Sequence, residues 1–349
     1  MSRLELKDYI LNNKLELIDK IMEEQMKLMP ELKEKYNDSM IEKSKSDTEY
    51  NLDYLAQSIY ADDKKIFSNY YNWLYSVLSK RGIEKKVLIK HLEAVKNVLE
   101  KEISSKNFEI LISYLKAARE NLKEDKTRYK SFIREDNKYH EQAQKYLDYL
   151  LNMQREEAVE LIVDLAENGV DIGDIYLNIF QIVQYEIGRL WQLNEISVAE
   201  EHYATSITQL AMSQLYPKIF SSYKKGKKVL TTCVGDELHE LGIRMVADLL
   251  EINGWDTIHM GANTPAAEII NILKDKNIDL LSVSVTLPFQ FENAKELLSK
   301  VRADKELEDL KIMVGGRLFL KSDDLWKKIG ADAFAKNAKD AVKVADSLL

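Results

Sequence analysis

Up to about residue 130, apolar residues recur at intervals of three and four, and charged residues fill the intervening positions. That periodicity predicts helices with one buried stripe and a solvated outer face. Tyr60, Phe67, Tyr71 and Leu74 fall at helical spacing and predict a buried stripe, widened by Tyr70 and Trp73. Lys80-Arg81-Gly82 reads as a helix end with glycine just beyond it. From about Asp136 to Tyr223 the pattern predicts four helices, near 137–151, 154–168, 172–193 and 197–220. Asn168-Gly169 separates the second from the third, and Ser197 with Glu200 forms a capping box for the fourth. Short connections between four helices predict an antiparallel bundle.

At Lys227 the period changes. A β-rich run at 228–234 precedes an amphipathic helix at 240–253, and Asp256 to Met260 reads as a second strand. Thr264 and Pro265 would open the next helix as cap and first-turn proline. Strands follow at 279–287, 311–314 and 332–335, with helices at 289–303 and 337–348. This alternation predicts a doubly wound, Rossmann- or flavodoxin-like parallel sheet of five strands, with ligands at the carboxyl ends of the strands. The expected fold is therefore α plus α/β: a helical domain at 1–132, a four-helix bundle at 133–223 and a Rossmann-like domain at 224–349.

Composition narrows the function classes. The 349 residues suffice for two or three domains. The net charge of −8 argues against a nucleic-acid surface. The run Lys224, Lys225, Lys227 and Lys228 reads as a solvated linker. No apolar run reaches the roughly 18 residues of a membrane span, and the first ten residues lack the apolar segment of a signal peptide. One cysteine, Cys233, excludes an internal disulfide, and a cytoplasmic protein is expected. Residues 1–130 contain no zinc-finger spacing, phosphate loop or nucleophile elbow. His91, His140 and His259 read as structural, and Cys233 as a small buried residue.

Chemistry concentrates in the loop after the first strand, Gly235-Asp236-Glu237-Leu238-His239-Glu240-Leu241-Gly242. A neutral imidazole ligates transition metals, and a carboxylate on its second ring nitrogen fixes the tautomer and raises its basicity. Asp236 or Glu237 would serve. Ser284-Val285-Thr286 follows forty-one residues after Gly242, and Gly315-Gly316 twenty-eight residues after Thr286. An acid-x-His-x-x-Gly loop, a Ser-x-Thr strand and a Gly-Gly pair at these intervals resemble the cobalamin (vitamin B12)-binding family over the whole last domain.

That resemblance implies His239 as the lower axial ligand to cobalt, with Glu237, Leu238 and Gly242 in the cofactor loop. Ser284 and Thr286 would line the slot for the dimethylbenzimidazole tail, and Gly315 and Gly316 would let the backbone approach it. In the bundle, Trp191, nine residues and then Glu201-His202 resemble the cap of cobalamin-dependent photoreceptor regulators, where the bundle covers the upper cobalt face. Glu237 is similar to that group, whereas methyl-carrying corrinoid proteins usually have aspartate there, and often a lysine where this chain has Ile243. Two features depart from the photoreceptors. Gln192 stands where they commonly have an upper-face histidine, and the first 130 residues do not resemble their winged helix-turn-helix, so DNA binding is not expected.

Three readings follow. The first is a non-enzymatic cobalamin sensor that responds to light through adenosylcobalamin and signals to a protein partner through the N-terminal domain or through a homo-oligomer interface. The second is a corrinoid carrier of methyl groups in a methyltransferase system, with methylcobalamin. The third is a light-independent cobalamin sensor, with hydroxocobalamin a possible bound form. Architecture alone does not separate them.

Overall fold

A computed structural model describes residues 2–122, 130–220, 223–322 and 324–349. The chain divides into two compact units, Met1–Asp125 and Lys126–Leu349.

The first unit is helical: α1 (Arg3–Asn12), α2 (Lys14–Leu28), α3 (Glu31–Lys35), α4 (Asp38–Ala61), α5 (Lys64–Lys80), α6 (Lys85–Glu102) and α7 (Ser105–Asn121). Ser2 and Glu5 form a capping box on α1, and the Asn37 and Asp63 side chains accept amide hydrogens at the starts of α4 and α5. The predicted aromatic stripe is split between two helices. Tyr60 belongs to α4, partly buried under the Lys7 ammonium, and Asp62 then takes a left-handed conformation that ends the helix. Phe67, Tyr71 and Leu74 are buried on α5 as expected, and Gly82 ends that helix with φ +81°. Among these apolar residues runs a polar chain. The Tyr70 hydroxyl donates to Asn51 Oδ1 at 2.9 Å, Asn51 Nδ2 lies 3.1 Å from His91 Nε2, and His91 Nδ1 lies 2.8 Å from Gln25 Oε1. Both ring nitrogens are satisfied by the neutral imidazole, which burial favours by pushing the pKa down to about 4.

The second unit begins with the bundle. It comprises α8 (His140–Leu151), α9 (Arg155–Glu167), a continuous rod of α10 (Ile172–Ile175), a π-helical turn (Tyr176–Phe180) and α11 (Gln181–Gln192), then α12 (Val198–Gln214) and α13 (Tyr216–Ile219). The Ser197–Glu200 capping box is present. The expected fourth helix breaks at Leu215, where Pro217 sits in the first turn of α13.

The sheet comprises β1 (Lys228–Cys233), β2 (Asp256–Gly261), β3 (Leu280–Ser284), β4 (Lys311–Gly315) and β5 (Ala333–Phe334), all parallel in the order β2-β1-β3-β4-β5. Its helices are α14 (Leu241–Ile252), α15 (Ala266–Asp275), α16 (Phe291–Ala303), the short α17 (Arg317–Leu320) and α18 (Leu325–Lys328), and α19 (Ala338–Leu348). Thr264 does not cap α15: Pro265 occupies the cap position and the Thr264 hydroxyl turns back to the Met260 carbonyl. Val229, Leu280 and Met313 pack with Leu250, Trp255, Ala341 and Ala345 on the α14/α19 face. Chain order reverses between β1 and β3, so their carboxyl ends form the crevice where such sheets place ligands.

The bundle docks on that face. Met245, Leu249 and Ala338 join its apolar core. The buried Tyr176 hydroxyl donates to Asp248 at 2.7 Å, and Lys339 lies 2.5 Å from Asp174 and 3.5 Å from Asp171. The run at 224–228 is no solvated linker. Lys224 pairs with Glu251, Lys225 with Asp346 and Lys227 with Asp279, and Lys228 Nζ donates to the Lys276 carbonyl.

Candidate functional site

The loop between β1 and α14 crosses the crevice, with Asp236 at φ +64° and exposed. Gln290 and Asn293 hold its backbone, donating to the Asp236 and Gly235 carbonyls at 2.9 and 3.0 Å. Glu237, fully buried, is the carboxylate that meets the histidine; Asp236 is not. Its Oε1 lies 2.6 Å from His239 Nδ1 and accepts the His239 amide at 2.9 Å, while its Oε2 accepts the Thr286 amide at 2.6 Å.

The electrostatics follow from this geometry. Burial alone would raise the Glu237 pKa, but hydrogen bonds from the His239 ring and amide and from the Thr286 amide outweigh it and hold the carboxyl below its ordinary value. The same bond to Glu237 raises the His239 pKa against the opposing effect of partial burial. Two further charges reach the imidazole: Glu201 of the bundle favours its protonation and Arg317 opposes it. The His239 side chain is 59% exposed. With Nδ1 committed to Glu237, Nε2 is the nitrogen left to face a metal.

Other expected residues fall around this pair. Ser284 is buried at the end of β3, in register with Cys233 on one side and Gly315 on the other. With Thr231 and Ser282 they make a strip of small side chains on the α14/α19 face of the sheet. Thr286 lies beyond β3, and the bond observed from it is made by its backbone amide to Glu237 rather than by its hydroxyl. Leu238 is 73% exposed at the loop apex, and a Cβ on Gly242 would meet nothing within 4 Å. Gly316 is also required by the fold itself. It holds φ +99°, and a Cβ there would sit 2.3 Å from the Val285 carbonyl oxygen, so the protein's own backbone demands the glycine. In the bundle, Glu201 pairs with its neighbour His202 at 2.7 Å, His202 being largely exposed, while Trp191 is partly buried at the end of α11.

Sequence reasoning did not anticipate Glu240, Tyr176 or Arg317. Glu240 spans the two parts of the unit, taking a hydrogen bond from Gln209 of α12 at 3.0 Å and one from the Ala262 amide at 3.0 Å. Arg317 stands directly after Gly315-Gly316, and its adjacency to that pair was the available signal.

The arrangement suits a macrocyclic metal rather than a bare ion. Among the described residues no three His, Cys, Asp or Glu side chains gather to hold a metal. A corrin carries its own metal and needs one further donor from the protein, and the exposed His239 imidazole, with Nδ1 held by Glu237, is the residue that could supply it. The surroundings of Gly242 in the same loop are open.

Residues 227–345 match the B12 binding domain family, and residues 142–216 match a second B12 binding domain family. The chain is a cobalamin-binding domain protein. It is 25% identical to dimethylamine corrinoid protein 1 of Methanosarcina acetivorans over 201 residues, 56% of this chain and 92% of that one. It is 29% identical to the dimethylamine corrinoid protein of Methanosarcina barkeri over 168 residues, 48% of this chain and 76% of that one. The solved structure of the Methanosarcina barkeri monomethylamine corrinoid protein superposes with a TM-score of 0.54 at 25% identity, covering 60% of this chain and all of that one. Residues 1–141 lie outside both family matches. Among the described residues no helix is long and apolar enough to cross a membrane.

Proposed function

We propose that this protein is a corrinoid methyl carrier, binding a cobalamin through His239 and passing methyl groups between methyltransferase partners. The likeness of its second unit to the methylamine corrinoid proteins carries this reading, and it favours the carrier over the light sensor that the bundle residues suggested. In this reading residues 224–349 bind the cofactor, residues 133–223 cap it, and residues 1–132 dock a partner.

When bound, the cobalt would supply the centre that accepts and releases the methyl group. The protein's residues would set its lower face. His239 would present Nε2 to the metal, and Glu237 would keep the proton on Nδ1 and strengthen the donor. Ser284, Gly315 and Gly316 would border the tail slot, with Thr286 acting through Glu237. Leu238 and Gly242 would face the ring from the loop. Trp191, Glu201 and His202 would exclude water from the upper face until the bundle moves aside for a partner.

The test loads the full chain with hydroxocobalamin, reduces it and offers a methyl donor while the visible spectrum is followed. The carrier reading expects uptake of the methyl group and its release to a thiol acceptor when a methyltransferase is added. Glu237, in place of the carriers' usual aspartate, favours the sensor as a second reading. A reduced protein that takes no methyl group, while its adenosylcobalamin form changes molecular size under green light, would replace the carrier with that sensor. In either reading His239→Ala should abolish the histidine-ligated spectrum, and an unchanged spectrum would refute His239 as the lower ligand.

A further inference from the structure

Arg317 is a cation that the fold places with care and leaves without a partner among the described residues. It follows Gly315-Gly316 at the carboxyl end of β4, beside the end of β3, where Ser284 pairs with Gly315. Its backbone is fixed from both sides. The Val285 amide donates to the Gly315 carbonyl at 3.0 Å, and the Leu318 amide returns to the Val285 carbonyl at 3.3 Å. Gly316 adopts its left-handed conformation against Val285 with no room for a Cβ, so the position of Arg317 along the chain is locked. Yet the side chain is exposed and makes no hydrogen bond or ion pair among the described residues. The guanidinium is also near enough to His239 for its charge to bear on the ring, which puts it on the side of the sheet ends that carries the axial donor.

A complete cobalamin brings one fixed negative charge to this region, the phosphodiester of its nucleotide tail; the corrin ring's side chains are neutral amides. A guanidinium is the side chain suited to a phosphate, with planar donors that can engage two oxygens at once. We propose that Arg317 binds the phosphodiester of the nucleotide tail and makes the site select complete cobalamins over corrinoids that lack the nucleotide. The inference rests on cobalamin binding and is independent of whether the cobalt carries methyl groups.

The full chain would be titrated with hydroxocobalamin, cobinamide and cobinamide phosphate at low and high salt, as wild type, Arg317→Gln and Arg317→Lys. Binding is read from the visible spectrum, and histidine ligation from the same spectrum. A charge-assisted hydrogen bond predicts that Arg317→Gln weakens hydroxocobalamin by about tenfold or more. Cobinamide should be unaffected, cobinamide phosphate should weaken as cobalamin does, and the loss should shrink in high salt. Arg317→Lys should recover part of the affinity. The histidine-ligated spectrum of bound hydroxocobalamin should persist in every variant. Equal weakening of cobinamide, or no change with any ligand, would overturn the assignment. A wild type that bound none of the three would overturn the cobalamin reading itself.

Discussion

Glu237 and His239, two residues apart in one loop, share a contact of 2.6 Å between a fully buried carboxylate and a largely exposed imidazole. The pair has a defined pH window. The Glu237 pKa is depressed, so its contribution to stability is complete above the ordinary carboxylate range and is lost as pH falls through the folded value. The His239 pKa is raised, so its contribution is complete below the ordinary value of 6.5 and is lost as pH rises through the folded value. In cofactor-free protein, the His239 ring should titrate above 6.5 by NMR, and Glu237→Gln should bring it down. A ring titration that Glu237→Gln leaves in place would break the link between the two groups. His239→Ala should cost about 1 kcal/mol, discounted for the solvent around the imidazole.

Gly315 and Gly316 should answer alanine differently. At Gly316 the new Cβ would meet the Val285 carbonyl oxygen at 2.3 Å in a left-handed backbone, whereas at Gly315 its nearest neighbour, the Ala335 oxygen, is 3.4 Å away. Gly316→Ala should cost about 3 kcal/mol, from the strain of the conformation and the forced shift of Val285. Gly315→Ala should cost less than about 1 kcal/mol. Denaturant midpoints of the two variants make the comparison, and equal costs would contradict it.

The Tyr176 hydroxyl joins the bundle to Asp248 of α14. Burial raises the Asp248 pKa, while this hydrogen bond and the charge of Arg244 lower it. Tyr176→Phe leaves a buried carboxyl without its donor and should destabilise the second unit by about 2 kcal/mol. Limited proteolysis should then cut at the bundle boundary sooner than in the wild type. Unchanged cleavage and melting would show that the apolar contacts of Met245 and Leu249 suffice to hold the bundle.

His91 predicts an acid sensitivity in the first unit. Its folded pKa lies at about 4 against an ordinary 6.5, so the unfolded chain binds the extra proton first. Stability should fall as pH drops below 6.5 and level off below about 4, with a total loss on the order of 3 kcal/mol. His91→Gln should flatten that slope in thermal melts between those pH values. A wild-type stability constant over the range would remove His91 from the unit's acid response.

Much of this was legible beforehand, and the gaps have physical causes. The five strands and their helices follow from the change of period at Lys227, and the Ser197–Glu200 box from its spacing. The acid beside His239 could be narrowed to two residues, but only the loop's turn at Asp236 decides between them. Thr286 was expected to line the tail slot; backbone donors leave no trace in a sequence, so its amide on Glu237 could not be foreseen. The apolar stretch 285–287 looked like continuing strand and leaves the sheet where that amide turns aside. Asp62 breaks a helix without glycine or proline, so the aromatic stripe seemed continuous. The basic run looked solvated because its acidic partners lie far along the chain, at Glu251, Asp279 and Asp346.

The π-helical turn at Tyr176–Phe180 sits between the residues that fasten the rod to the α/β part and the end that carries Trp191. A helix advances by roughly 100° per residue, so widening a turn by one residue rotates everything beyond it by that angle. The heading of Trp191 is thus a matter of counting. Taking one residue out of this turn would close it to an α-helical one and keep the tryptophan's heading, whereas closing it at unchanged length would swing the tryptophan by roughly 100° around the rod. The width of one turn, with no other residue changed, therefore decides which side of the rod the end bearing Trp191 turns outward.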